Sequence, residues 1–199
     1  GCLYICDMYR EVIEHPWSLP DSIKKHLDLN SGNDRGRIYR IVPEKFKQRP
    51  LPRLGKASSA ELVAFLEHPN GWHRDTAARL LYERQDQSSA AKLVELVNPL
   101  RPAHAVTHAL YALAGLKALK EEHLTYSMWH SKPAVRENAL KLAEPFLAKP
   151  SVELWQEMRR LAEKPDANPM DTPCDLQLAL TLGEARHPES AEVLWRFFR

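Results

Sequence analysis

The sequence predicts an all-α fold, a superhelix of stacked antiparallel helix pairs, with a short β-strand remnant at its N-terminal end. Three observations carry that prediction. A helix-pair pattern recurs about four times between Ser58 and Arg199, most clearly as Pro-Ala-Val-Arg-Glu-Asn-Ala-Leu-Lys-Leu-Ala (133–143) and Gly-Trp-His-Arg-Asp-Thr-Ala-Ala-Arg-Leu-Leu (71–81). Aligned on one small residue, the second helices place Ala77, Ala109, Ala139 and Ala179 at intervals of 32, 30 and 40 residues. A small side chain lets neighbouring helices approach, and Leu81, Leu113 and Leu182 one turn on would fill the seam. Proline stands at the expected first turn of several segments, where its fixed φ suits a helix and its missing N–H costs nothing.

Each element follows from local chemistry. Leu3–Tyr9 is rich in aromatic and β-branched residues and reads as a strand, as does the alternating segment Arg37–Val42. Asn33-Asp-Arg-Gly36 before the second strand is a turn signal, with Gly36 free to take positive φ. Asp21–Leu27 is one or two helical turns. Pro43–Lys56, with Pro43, Pro50 and Pro52 among many charges, reads as an extended linker. The first long helix starts at Ser58, with Glu61 three residues on as a capping box, and stops near His68 before Pro69-Asn70-Gly71. Its partner runs from Trp72 to about Arg84. Later helices are expected from Ser88 or Ser89 to Asn98, from Pro102 to Leu119, from Glu121 to His130 and from Pro133 to Lys149. Pro150–Lys164 and Pro173–Ala185 form a fourth pair around a loop from Pro165 to Pro173, and Pro188–Arg199 starts a fifth. The expected division is residues 1–42 for the β part, 43–57 for the linker and 58–199 for the repeats.

Charge and cysteine content narrow the function classes. Net charge is +2, too small to imply a polyanion partner. Eight basic residues against two acidic ones between Asn33 and Lys56 give a local +6 and leave about −4 elsewhere. A basic linker beside an acidic helical region explains this, and the aromatic interleaving of a nucleic-acid groove is missing, so no nucleic acid is expected. Cys2, Cys6 and Cys174 make no disulfide framework. There is no Cys-x-x-Cys-His haem motif, and no apolar run reaches the ~20 residues of a membrane span. The chain starts at Gly1 with no signal peptide, so it reads as a piece of something longer and does not encode its compartment.

Several residues invite a chemical reading. His104 and His108, at i and i+4 of one helix, could share a metal, but no third ligand is evident and no Glu follows His104, so no metal is expected. The chain also lacks the His-Glu dipeptides that helical-repeat metal hydroxylases use. Asp28–Asp34 begins like a calcium loop but has Asn33 where Gly is needed and Tyr39 where Glu is needed. Arg74 and Arg136 occupy equivalent repeat positions. Each either bonds carbonyls or a carboxylate of the neighbouring pair or lines a concave face that takes an anionic or protein ligand. Trp72, Trp129, Trp155 and Trp195 are expected in the helix packing. The alternative is an aromatic–acidic DNA clamp at Trp72 and Asp75. Asp7, Arg10, Glu11, Glu14 and His15 form the densest polar cluster. They either join the β part to the helices through salt bridges or supply acid–base groups to a larger site.

The Pro-x-Val-Arg-x-x-Ala-Leu-x-Leu form at 133–142 resembles the HEAT-like repeats of phycobilisome lyases, over 58–199. The Arg is replaced by Val106 and Leu176 in the other copies. Leu3–Trp17, with Asp34-Arg-Gly-Arg-Ile-Tyr-Arg-Ile41, resembles the last propeller blade of large bacterial proteins labelled membrane-bound dehydrogenases of the planctomycete type. In that family a glucose/sorbosone-dehydrogenase-like β-propeller leads into HEAT-like repeats and then a cytochrome c domain. The resemblance implies an extracytoplasmic redox protein in which this chain is a non-catalytic scaffold or spacer. Its partners would be other domains of the parent or another protein, with no cofactor in the chain itself and no catalytic residue. The competing implication is a dehydrogenase fragment whose Asp7–His15 segment contributes to the propeller substrate site. A nucleic-acid-binding helical repeat is the third reading.

Overall fold

The computed structural model describes residues 2–47, 50–163 and 172–197. It is mostly helical, with one short two-stranded antiparallel sheet. The chain divides into two compact units, 1–51 and 52–199.

In the first unit, strands β1 (Leu3–Asp7) and β2 (Arg37–Ile41) pair with Leu3 opposite Ile41 and Asp7 opposite Arg37. β1 ends two residues earlier than expected. The Asp7 carboxylate accepts the Tyr9 N–H at 2.8 Å, and Tyr9 itself turns to φ 51°, outside strand geometry. The helical turn expected near Asp21 is α1 (Asp21–Lys24). The positive φ expected at Gly36 falls instead at Gly32 (φ 73°), where an added Cβ would lie 1.8 Å from the Tyr9 carbonyl oxygen. That approach brings the loop before β2 against the end of β1, and the Arg10 guanidinium donates to the Leu29 carbonyl beside it. No described residue of 2–47 is buried. One face of the ribbon carries Leu3, Ile5, Tyr39 and Ile41, and the other Tyr4, Cys6 and Ile38, so apolar groups lie on both.

The second unit begins inside the stretch expected as linker. Leu54, in a 3₁₀ turn at Leu54–Lys56, is buried with Leu62, Leu66 and Leu81. The Arg84 guanidinium holds the turn by donating to the carbonyls of Ala57 and Gly55. Helices α2 (Ser59–Phe65), α3 (Gly71–Arg84), α4 (Ala90–Leu96) and α5 (Ala103–Gly115) follow. After them come α6 (Glu121–Ser127), α7 (Pro133–Ala143), α8 (Val152–Ala162), α9 (Thr172–Glu184) and α10 (Ser190–Phe197). The loop expected from Pro165 to Pro173 lies outside the described residues as far as residue 171, as do the last two residues of the helix expected to end at Arg199.

The ends of these helices are set by side chains and turn geometry. The capping box at α2 is formed: Glu61 accepts the Ser58 N–H at 2.7 Å and Ser58 Oγ accepts the Glu61 N–H at 3.3 Å. The Ser58 N–H and the Ser58 hydroxyl, which also donates to the carboxylate at 2.8 Å, hold the Glu61 carboxyl below its usual range. The helix expected to reach Leu119 stops at Gly115. Lys117 turns left-handed (φ 56°), and the Ala118 N–H reaches the Leu113 carbonyl at 2.8 Å in a Schellman closure. Gln85 (φ 51°) ends α3 in the same left-handed conformation.

Consecutive helices pack as pairs: α2 on α3, α4 on α5, α6 on α7, α8 on α9. Second helices also touch in series, α3 to α5 to α7 to α9, and α10 packs on α8 and α9. Two buried clusters fill this arrangement. One, around Leu62, Leu81 and Leu113, spans α2–α5; the other, around Leu110, Leu124, Met128 and Leu154, spans α5–α10. Ala77, Ala109 and Ala139 are buried in the seams as their size requires. The fourth copy differs. Ala179 is only half-buried, and Leu178 (3% exposed) fills the seam one turn before Leu182. The interval is therefore one residue shorter than the alanine alignment gave, and a leucine takes the place of the small residue.

Candidate functional site

Arg74 and Arg136 make the same kind of bond in their two copies, to carbonyls of the turn between paired helices. Arg74 Nη1 donates to the carbonyls of His68 (2.8 Å) and Pro69 (3.1 Å), and Arg136 Nη1 donates to the carbonyl of His130 (2.6 Å). The acceptors lie in the turn within the same helix pair, not in the neighbouring pair as the repeat reading proposed. A guanidinium supplies donors to turn carbonyls that would otherwise lack a partner within the pair. A hydrogen bond to a charged donor contributes roughly 1.5–3 kcal/mol. Both arginines are half-buried, so Arg136→Ala is expected to cost about 1–2 kcal/mol. Chemical denaturation with an unchanged m-value would check this, and a loss below a few tenths would leave the bond without weight.

The two copies share a second device that repeat inspection missed. His68 precedes Arg74 by six residues, and His130 precedes Arg136 by six. His68 Nδ1 accepts the Asn70 N–H at 3.0 Å, and His130 Nδ1 accepts the Lys132 N–H at 3.0 Å. Each histidine thus caps the turn with its ring while its carbonyl receives the arginine. The signal was present: extending the alignment of 71–81 with 133–143 backwards by three residues superposes the two histidines.

His104 and His108 lie on α5. His108 Nε2 stands 3.6 Å from Asp75 Oδ1 on α3, and His104 Nε2 is buried without a hydrogen-bond partner. Burial pushes His108 below the ordinary histidine value; Asp75 opposes this, while Arg74 and His104 add to it. Among the described residues no three histidine, cysteine or acidic side chains converge as metal ligands. The tryptophans divide in a way the packing expectation did not foresee. Trp155 is buried and stacks on His187 with ring centroids 3.9 Å apart. Trp72 (74% exposed) and Trp195 (62% exposed) face solvent. Trp129 is partly exposed; its Nε1–H donates to Glu157 at 2.7 Å, and the Arg160 guanidinium lies 4.5 Å from its ring centre. Asp75, on the same helix as Trp72, lies 3.6 Å from His108 Nε2 and is itself exposed.

In the first unit, Asp7 and His15 are spent on local turns. Asp7 caps Tyr9, and His15 Nδ1 accepts the Trp17 N–H at 3.2 Å. Arg10 holds the Leu29 carbonyl, and Glu14 is exposed. These contacts do not gather Asp7, Arg10, Glu14 and His15 into one acid–base group.

His123 and His130 are both buried, and desolvation pushes both below the ordinary value. Glu122 opposes the shift at His123, while the nearby Arg136 and Lys132 charges add to it at His130. The unfolded chain takes up these protons near pH 6.5 and the folded chain only at lower pH, so unfolding is favoured as pH falls. Stability is expected to be full above about pH 6.5 and to decline through the window below it. Denaturant midpoints at about pH 7.5 and about pH 5.5 would check this, with a lower midpoint in acid as the expected result.

Residues 1–45 match the model of a family described as a domain of unknown function, DUF7133. No curated protein and no solved structure matches the chain. Among the described residues no helix is long and apolar enough to cross a membrane.

Proposed function

We propose that this chain is a HEAT/armadillo-like α-solenoid that serves as a non-catalytic scaffold, spacing or docking other domains of a larger protein. The observation that carries the reading is the serial packing α3–α5–α7–α9 through buried alanines and leucines, with Arg74, Arg136, Asp7 and His15 bound into local turns. Helix pairs that each contact only their neighbours are the building principle of repeat scaffolds, whose use is an extended surface rather than an enclosed reaction site. Residues 2–47 support the spacer part of the reading. A two-stranded ribbon with apolar side chains on both faces is marginal alone in water and suits the closing part of a larger β structure.

The parent of the resemblance, a propeller–repeat–cytochrome dehydrogenase of the planctomycete type, supplies such a structure on one side and a haem domain on the other. The family match over 1–45 separates the ribbon from the helices, in keeping with two modules. On this reading the whole protein works outside the cytoplasm, and the chain contributes no cofactor ligand. The complete reading frame is the direct test. Propeller blades encoded before Leu3 and Cys-x-x-Cys-His encoded after Arg199 are expected, and unrelated neighbours on both sides would remove the redox assignment. Turnover of an aldose with a dye acceptor by this chain alone would defeat the non-catalytic one.

A further inference from the structure

Each second helix before α9 is covered on one side by the next second helix. Tyr111 on α5 meets Asn138 on α7, its hydroxyl donating to Oδ1 at 2.9 Å. Glu144, at the end of α7, accepts from Gln177 at 3.0 Å and from Thr181 at 3.3 Å on α9. The buried seam residues Ala109, Ala139 and Leu178 are spaced by 30 and 39 residues. Carried forward by those intervals, Tyr111 falls on Leu180, and Glu137 and Glu144 fall on Leu176 and Gly183. These three residues therefore mark the side of α9 that a following helix would cover. Among the described residues no second helix follows: Leu176 is 62% and Leu180 57% exposed, and a Cβ added at Gly183 would meet nothing within 4 Å. The chemistry of this side changes too. α7 places Glu137, Lys141 and Glu144 where α9 places Leu176, Leu180 and Gly183, and no residue from 176 to 183 is charged. The end of a helical array that faces only water is polar. Two leucines one turn apart, beside the small Ala179 and Gly183, instead suit an opposing helix that comes close.

We infer that this side of α9 is a docking surface for a second copy of the chain, with α9 lying antiparallel against α9 of that copy. Continuity with the seam sets the kind of occupant. Every earlier second helix is met here by a helix, so the occupant is a helix with an uncharged apolar stripe. α9 is itself such a helix, and a two-fold pairing uses the same patch twice. Charge agrees with a copy. When Leu176 of one chain stands opposite Leu180 of the other, the acidic residues of the helix, Asp175 and Glu184, lie outside the paired stretch, so no like charges are buried together. The pairing concerns the helical unit alone and stands apart from the redox assignment of the parent.

Sedimentation velocity on the whole chain, from about 5 to about 300 µM, tests this. A reversible monomer–dimer equilibrium is expected. Leu176→Glu and Leu180→Lys are each expected to weaken it about tenfold or more, because each sets a charge against an apolar side chain of the other copy. Both positions are exposed, so the unfolding midpoints are expected to stay unchanged. An equimolar mixture of the two variants is expected to regain dimer, since the new carboxylate at position 176 then meets the new ammonium at position 180 of the other chain. A native chain that stays monomeric, a dimer that persists in both variants, or a mixture no more associated than its components would each overturn the pairing. Should either variant fail to fold, concentration-dependent amide shifts in the native chain decide: confined to residues 173–186 they support the pairing, and anywhere else, the ribbon included, they overturn it.

Discussion

Leu110→Ala is expected to destabilise the helical unit by about 2–5 kcal/mol, the largest effect of any single truncation considered. Leu110 is fully buried on α5 and belongs to the cluster that also holds Leu124, Met128, Val135 and Ala139. It sits where a first helix, α6, and two second helices, α5 and α7, supply the cluster. Removing its isobutyl group loses transfer free energy and leaves a cavity that helices tied at both ends cannot close. Two ties are concrete: the Tyr111 hydroxyl donates to Asn138 Oδ1 at 2.9 Å between α5 and α7, and the α5 end is locked by its Schellman closure. Denaturant unfolding of both proteins measures the difference. A loss under about 1 kcal/mol would mean the helices slide to fill the gap, and the rigid seam described above would be wrong.

Hydrogen exchange is expected to divide the chain sharply, with amides of α5 and α7 exchanging orders of magnitude more slowly than those of β1 and β2. Amides in buried helices open only with the unit as a whole, whereas those of a ribbon without buried side chains open locally. The ribbon is held by the inter-strand bonds of β1 and β2 and by exposed or half-exposed side-chain contacts, and no described residue of 2–47 is buried. A matching mutation makes the same point: Leu3→Ala should change stability by no more than about 0.5 kcal/mol, since Leu3 already faces solvent. Exchange mass spectrometry on the monomer gives the answer. Protection in Leu3–Asp7 equal to that in Pro133–Ala143 would show that the ribbon is covered, and the need for an additional β structure would vanish.

Much of the helical architecture was legible because it is written in short-range chemistry. Ser58 and Glu61 are three residues apart and cap one helix by themselves. Pro133 opens α7 through its fixed φ, with no capping bond needed. Errors came where a local rule met a competing local bond. Gly36 was the obvious site for positive φ, yet Gly32 takes it, because there alone the chain passes against the Tyr9 carbonyl. Pro102–Leu119 looked like one long helix, but the left-handed Lys117 closes it after Gly115. Among the candidate site residues, the equivalence of Arg74 and Arg136 was readable. Their acceptors were not, since the repeat shows which positions match but not which carbonyl lies within 3 Å.

The sequence alone determined the helical class, the order and starting points of the described helices, and the presence of a two-stranded β segment, while several helix ends came earlier than expected. Those depend on propensity, caps and periodicity, which act over a few residues. Tertiary structure decided the rest. It chose Leu178 over Ala179 for the last seam, because which side chain fits is a matter of the distance to α7. It left Trp72 and Trp195 in solvent while burying Trp155, although each sits in a helix of similar composition. It also buried His130 and left His68 half-open, although the two hold equivalent positions in their repeats.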